Sequence, residues 1–174
     1  DRVKCWGENG AGELGLGNTT SRGDNGGEMG DALAYVDLGT GRTAKTLAAG
    51  NYHVCAILDN DRVKCWGENT YGQLGLGNAV KRGDNGGEMG DALPYVDLGT
   101  GRTAKALGRG GNHTCAILDN DRVKCWGFNA QGQLGLGDVA SRGDNAGEMG
   151  DALPYVDLGT GRTAKALAPA SNHT

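Results

Sequence analysis

The chain of 174 residues repeats itself every 60 positions without an insertion or deletion. Asp1-Arg2-Val3-Lys4-Cys5-Trp6-Gly7 returns as Asp61 to Gly67 and as Asp121 to Gly127. Residues 61–114 and 121–174 differ at only 12 of 54 aligned positions. A period of this kind restricts the chain to stacked or radially arranged modules, each of which buries its apolar face against a neighbour. The organisation is therefore read as one continuous array: repeat 1 over 1–60, repeat 2 over 61–120 and repeat 3 over 121–174, six residues short of a full unit.

Within one unit, His113 to Leu118 and Arg122 to Trp126 are short apolar runs flanking the polar cluster Asp119-Asn120-Asp121. That pattern predicts a β-hairpin, because Asn and Asp accept the left-handed backbone of a tight turn. Gly132 to Gly137 alternates Leu with Gly and reads as strand-like, Ser141 to Gly150 as a long loop, and Pro154 to Leu158 as a third strand. After the Gly159-Thr160-Gly161 turn, Ala164 to Ala168 is too short for a helix and reads as a fourth strand. The expected class is all-β: tandem four-stranded antiparallel β-propeller-type blades, forming a ring or superhelix that this chain alone does not close. A β-helix solenoid is the competing architecture, but its repeats usually have shorter periods.

The residues carry a resemblance. Cys65-Trp66-Gly67-Glu68-Asn69, then Tyr71-Gly72-Gln73-Leu74-Gly75-Leu76-Gly77, together with Gly110 to Leu118 around His113 and Cys115-Ala116, resemble the regulator of chromosome condensation repeat in all three units. The resemblance implies four-stranded blades, usually seven to a ring. The long loop of the Arg22 to Leu33 kind is similar to that of bacterial secreted and surface members. Three repeats do not close the family's usual ring, and no specific partner carries over, since the partner-contacting residues of characterised members find no match here.

Five cysteines follow the repeat: Cys5, Cys55, Cys65, Cys115 and Cys125. If each hairpin is centred on its Asn, Cys55 faces Cys65 and Cys115 faces Cys125, at a separation that suits a disulfide. Reduced core cysteines and a metal site are the alternatives, the latter lacking zinc-like spacing. With disulfides the compartment is oxidising, extracellular or at the cell surface. Cys5 is expected to pair outside this segment.

Further candidates recur once per repeat. His53, His113 and His173 are expected to be structural, bonded to a neighbouring backbone group or Trp. Trp6, Trp66 and Trp126 are expected to pack between sheets. The acidic loop places Asp24, Asn25, Glu28 and Asp31 together, with copies at Asp84, Asn85, Glu88, Asp91 and at Asp144, Asn145, Glu148, Asp151. Hard oxygen ligands on a turn suit Ca²⁺, yet the strict spacing of a calcium loop is missing, and a structural loop is the leading reading. No cofactor is expected beyond that calcium alternative.

Net charge is −4, which gives no attraction to nucleic acid, and no run is long and apolar enough for a membrane span. Phosphate-binding glycine loops and serine nucleophile elbows are absent from the sequence. An active site needs one asymmetric constellation, whereas these modules present the same residues three times. The expected function is thus a non-enzymatic extracellular scaffold, assembling head-to-tail with copies of itself or with further repeats. A protein-binding propeller that inhibits or regulates a partner is the alternative. Differences between repeats at 68–71, 78–81 and 108–111 mark its variable surface.

Overall fold

The computed structural model describes residues 2–174. It contains two three-stranded antiparallel sheets. The first is built of β1 (Ala44–Ala49), β2 (His53–Leu58) and β3 (Val63–Gly67), the second of β4 (Ala104–Arg109), β5 (His113–Leu118) and β6 (Val123–Gly127), each in sequential order. Pairing follows the expected frame: Cys55 opposes Cys65 and Ile57 opposes Val63, with Cys115/Cys125 and Ile117/Val123 as the copies. The hairpin turn rests on Asp61, whose φ is 60°, and Asp121 repeats it at 62°. Asp61 N–H donates to Leu58 C=O, and Asn60 Oδ1 accepts from Arg62 N–H at 3.2 Å. The two acidic turn residues do what their tolerance of left-handed backbone allows.

The blades are all-β and open, but they have three strands rather than four. Residues 94–98 and 154–158, read as a strand from sequence, supply little more than one ladder-type bond each, Val96 N–H to Val63 C=O and Val156 N–H to Val123 C=O, both 2.9 Å. Residues 164–168 form no strand, although Ala44–Ala49 and Ala104–Arg109 do at the equivalent place. Those strands pair with β2 and β5, and residues 164–168 have no such ladder partner among the described residues. Arg2 to Trp6 is likewise extended without a strand ladder. The Leu-Gly alternation is a train of turns: Gly132, Gly135 and Gly137 all have positive φ. Gly75 shows why. Its left-handed backbone lies under the Trp126 indole, where a Cβ would come to 2.8 Å from Nε1.

β2 and β5 are buried on both faces. Cys55 and Ile57 point to the second blade, into a core with Ala116, Leu118, Trp126 and Leu74. Val54, Ala56 and Leu58 point the other way, onto Val3, Val36 and Leu38. The period of two therefore serves two cores, and neither blade has a solvent face at its central strand. Trp66 and Trp126 are fully buried between repeats, as expected, while Trp6 is 63% exposed, a departure from the packing role read for it. Trp66 and Trp126 each donate their indole N–H to a carbonyl of the repeat before their own, and Trp6 makes no such bond among the described residues.

Candidate functional site

Strand direction sorts the molecule into two ends. β1 and β3 run toward one end and β2 away from it, so the β1–β2 turn and the segment after β3 share that end, and the 59–61 hairpin turn lies at the other. Comparison of the three repeats finds 17 variable positions, counted in repeat 2 numbering, and 12 of them fall at 68, 70, 71, 78–81 and 108–112. The structure brings these clusters together at the first end. Glu68 N–H donates to Tyr52 C=O at 2.7 Å, and in the second blade Phe128 N–H donates to Asn112 C=O at 2.9 Å. The Asn69 amide donates to the C=O of Asn78 (2.7 Å) and of Val80 (3.0 Å), while its oxygen accepts from Leu74 N–H. Asn129 and Asn9 make the same set of bonds. Glu68 also binds Lys81 at 2.8 Å. Although burial works against its charge, the Lys81 ammonium and the Thr70 hydroxyl and N–H hold its carboxyl down at about 2.

The opposite end is invariant in chemistry. Arg42 pairs with Asp59 at 3.2 Å and Arg102 with Asp119 at 3.1 Å. Arg62 and Arg122 lie 3.6 Å over the rings of Tyr95 and Tyr155. Beneath them Lys64 is buried, its ammonium donating to Leu38 C=O (3.0 Å) and Gly90 C=O (2.6 Å). Burial pushes the Lys64 amine below the ordinary lysine range, opposed by Tyr95, Asp91 and Asp37. The sequence reading missed this lysine. Its place between Val63 and Cys65 in an apolar strand was the available signal.

The histidines bond to neither backbone nor Trp. His53 Nε2 meets Thr114 Oγ1 at 3.0 Å and His113 Nε2 meets Thr174 Oγ1 at 2.9 Å, each in the following repeat. Thr114 in turn donates to Gln73 C=O, which also accepts the Trp126 indole N–H, both at 3.0 Å. Because the threonine hydrogen is committed to that carbonyl, His53 must donate from Nε2, which leaves Nδ1 bare, and Nδ1 indeed has no partner. Burial holds both rings neutral, with pKa near 4. His173 lies exposed.

The acidic loop divides its labour. Glu88 accepts from Gly83 N–H (2.9 Å) and Asn85 N–H (3.1 Å), and Glu28 and Glu148 repeat this. Asp84 and Asp144 face the glutamates, burial raising their pKa. Asp91 and Asp151 leave the loop and cap the preceding repeat at Thr40 N–H and Thr100 N–H, both 2.9 Å; Asp31 makes no such bond. Among the described residues no three acidic, His or Cys side chains are grouped to hold a metal ion. The oxygens nominated for calcium are thus spread over separate hydrogen bonds. Cys55–Cys65 and Cys115–Cys125 are disulfide-bonded, with Cα atoms 4.1 Å apart, and Cys5 is free.

The model of the regulator of chromosome condensation (RCC1) repeat matches residues 44–73 and 108–133, the strand pairs and Trp-Gly segments just described. The chain carries regulator of chromosome condensation repeats at those residues. It is similar to the probable E3 ubiquitin-protein ligase HERC4 of Homo sapiens, 34% identical over 98 residues, which is 55% of this chain and 8% of that protein. It is 29% identical over 140 residues to the ultraviolet-B receptor UVR8 of Arabidopsis thaliana, covering 79% of this chain and 28% of the receptor. Among solved structures it resembles Prp20p of Saccharomyces cerevisiae, characterised for binding Gsp1p and histones, with TM-score 0.61 and 17% identity over 90% of this chain and 34% of Prp20p. Human WBSCR16 gives TM-score 0.62 at 16% identity, over 95% of this chain and 37% of that one. The RCC1-repeat chain thus spans a minor part of each relative, and the structural likenesses carry the fold alone. Among the described residues no helix is long and apolar enough to cross a membrane.

Proposed function

We propose that this chain is a non-enzymatic protein-binding RCC1-repeat array that recognises its partner through the variable end. The observation that carries this reading is the sorting of sequence differences. Of the 17 variable positions, 12 collect on one accessible end whose backbone is clamped by Asn9, Asn69 and Asn129, while between blades the Trp66 and Trp126 anchors and the buried His53 and His113 keep their identity. Loops on a rigid scaffold are where recognition concentrates. The family's bound structures support it by analogy, since Prp20p is described with protein partners. Two disulfides favour work in an oxidising, extracellular compartment. Cross-linking mass spectrometry on complexes retrieved from extracellular fluid tests the reading: links are expected at 49–52, 68–71, 78–81, 109–112 and 128–131, and links confined to 59–62 and 119–122 overturn it.

The scaffold reading keeps one observation of its own. The first repeat exposes Trp6, while a groove of about 590 Å³ at the far face is lined by Val123, Cys125, Gln133 and Leu134. Trp66 and Trp126 bury themselves against the equivalent residues of the preceding repeat, so the two open faces are complementary, and a blade of the same kind, from further repeats or a second copy, fits them. Light scattering tests self-association: a stable 17.9 kDa monomer that unfolds cooperatively defeats it.

A further inference from the structure

The chain has one phenylalanine, and it is not in the core. Phe128 stands where the other repeats carry Glu8 and Glu68, half-buried at the variable end, with its ring 4.7 Å from that of Tyr71 in the preceding repeat and tilted by 56°. Tyr71 is itself peculiar to repeat 2, replacing Ala11 and Gln131. On the same end Tyr52 is 46%, Val80 54% and Val139 67% exposed. A chain with so few aromatics has placed three of them, with two valines, on one end, where they bury nothing of their own core. Such a cluster marks an interaction site, and aromatic residues dominate the energetics of protein contacts.

Charge narrows the occupant. Lys81 is neutralised by Glu68, and Arg142 by Asp138 at 2.6 Å. Arg109 sits on the same turn as Asn112, which holds the Phe128 backbone, and is exposed; among the described residues it forms no ion pair. Repeat 1 has Ala49 there and repeat 3 has Pro169. The guanidinium is therefore a cation without an ion pair on the turn that holds the Phe128 backbone, suited to a carboxylate.

We propose that the ledge formed by Tyr71 and Phe128, with Arg109 at its edge, docks a protein segment presenting an apolar side chain next to an Asp or Glu. The inference rests on the reading of the variable end as the partner face and assigns the chemistry of that partner. The apolar side chain packs on the ring pair at the seam between blades, and the carboxylate meets Arg109.

Random 12-residue peptides displayed on phage are selected on the intact chain and counter-selected on Phe128→Glu, Arg109→Ala and the double variant. Phe128→Glu installs the residue that Glu8 and Glu68 already provide at this place, so the fold accommodates it, and equal melting temperatures verify this. The expected result is a consensus of an aromatic or aliphatic residue beside an acid. A synthetic peptide of that consensus then binds wild type roughly 10-fold more tightly than Phe128→Glu, a loss of about 1.4 kcal/mol, and several-fold more tightly than Arg109→Ala. Failure to recover such a consensus, or affinity unchanged in both variants, overturns the inference. Peptides that bind at 68–70 or 78–81 independently of Phe128 overturn it while leaving the variable-end reading standing; peptides that bind at the hairpin-turn end overturn both.

Discussion

Thr114 Oγ1 lies 3.0 Å from His53 Nε2 and 3.0 Å from Gln73 C=O, so one hydroxyl joins two repeats. Repeat 1 carries Val54 at this position. Thr114→Val keeps the shape and removes the hydroxyl, leaving the His53 N–H buried without an acceptor. The expected cost is about 1–3 kcal/mol, read as a lower urea midpoint at constant slope. An unchanged midpoint shows that the relay carries no stability.

The same ring sets a pH dependence. Burial holds His53 near 4 in the folded chain, against an ordinary value of 6.5. A lowered histidine binds its proton more readily when unfolded, so its contribution is full above pH 6.5 and is lost as pH falls toward 4. The loss over that window is about 3 kcal/mol. Equilibrium unfolding of wild type and His53→Gln across pH 4–7 checks it, the variant giving a flatter profile over this window.

The disulfides close loops with a sequence separation of 10 between linked residues. Each is expected to contribute about 2–3 kcal/mol. Reduction should lower the melting temperature, and peptide mapping without reductant should return Cys55–Cys65 and Cys115–Cys125 as linked pairs. Finding these four as free thiols refutes the assignment.

Two glycines with similar backbones separate strain from crowding. Gly72 has φ +76° and Gly101 φ +68°. A Cβ at Gly72 would overlap the backbone of Gly143 and Asp144, whereas at Gly101 nothing lies within 4 Å. Gly101→Ala should cost only the left-handed penalty, about 1–2 kcal/mol. Gly72→Ala should cost clearly more, because two repeats must separate. Equal losses in denaturant titrations contradict the close packing.

Calcium removal should leave stability unaltered. Glu28, Glu88 and Glu148 already accept loop N–H groups, and Asp91 and Asp151 cap the preceding repeat. A chelator that lowers the melting temperature by more than a few degrees reverses the structural reading of these loops.

Legibility followed the range of the interactions. The hairpin pairing of β2 with β3 could be read from Asp59-Asn60-Asp61 and the apolar runs beside it, because turn and register are local. The Gly-Leu alternation misled, since a period of two arises equally when glycines alternate as turn formers, as their positive φ shows; Trp66 and Trp126 lie against two of them, Gly15 and Gly75. The partner of His53 is 61 residues away, and the caps of Asp91 and Asp151 reach back 51. A repeat shows that these residues matter in every unit but not which neighbouring unit they touch. At the candidate site, the variable clusters could be read by comparing repeats, yet their convergence required the strand directions.

The Asn69 amide, reaching Asn78 and Val80 through backbone carbonyls alone, has a consequence for change. It grips the loop without using any side chain at 71, 79 or 80, so those identities are decoupled from this clamp. New specificities can accordingly be written into these positions by substitution, without re-engineering the backbone, and contacts such as Tyr71 on Phe128 let neighbouring repeats combine what is written.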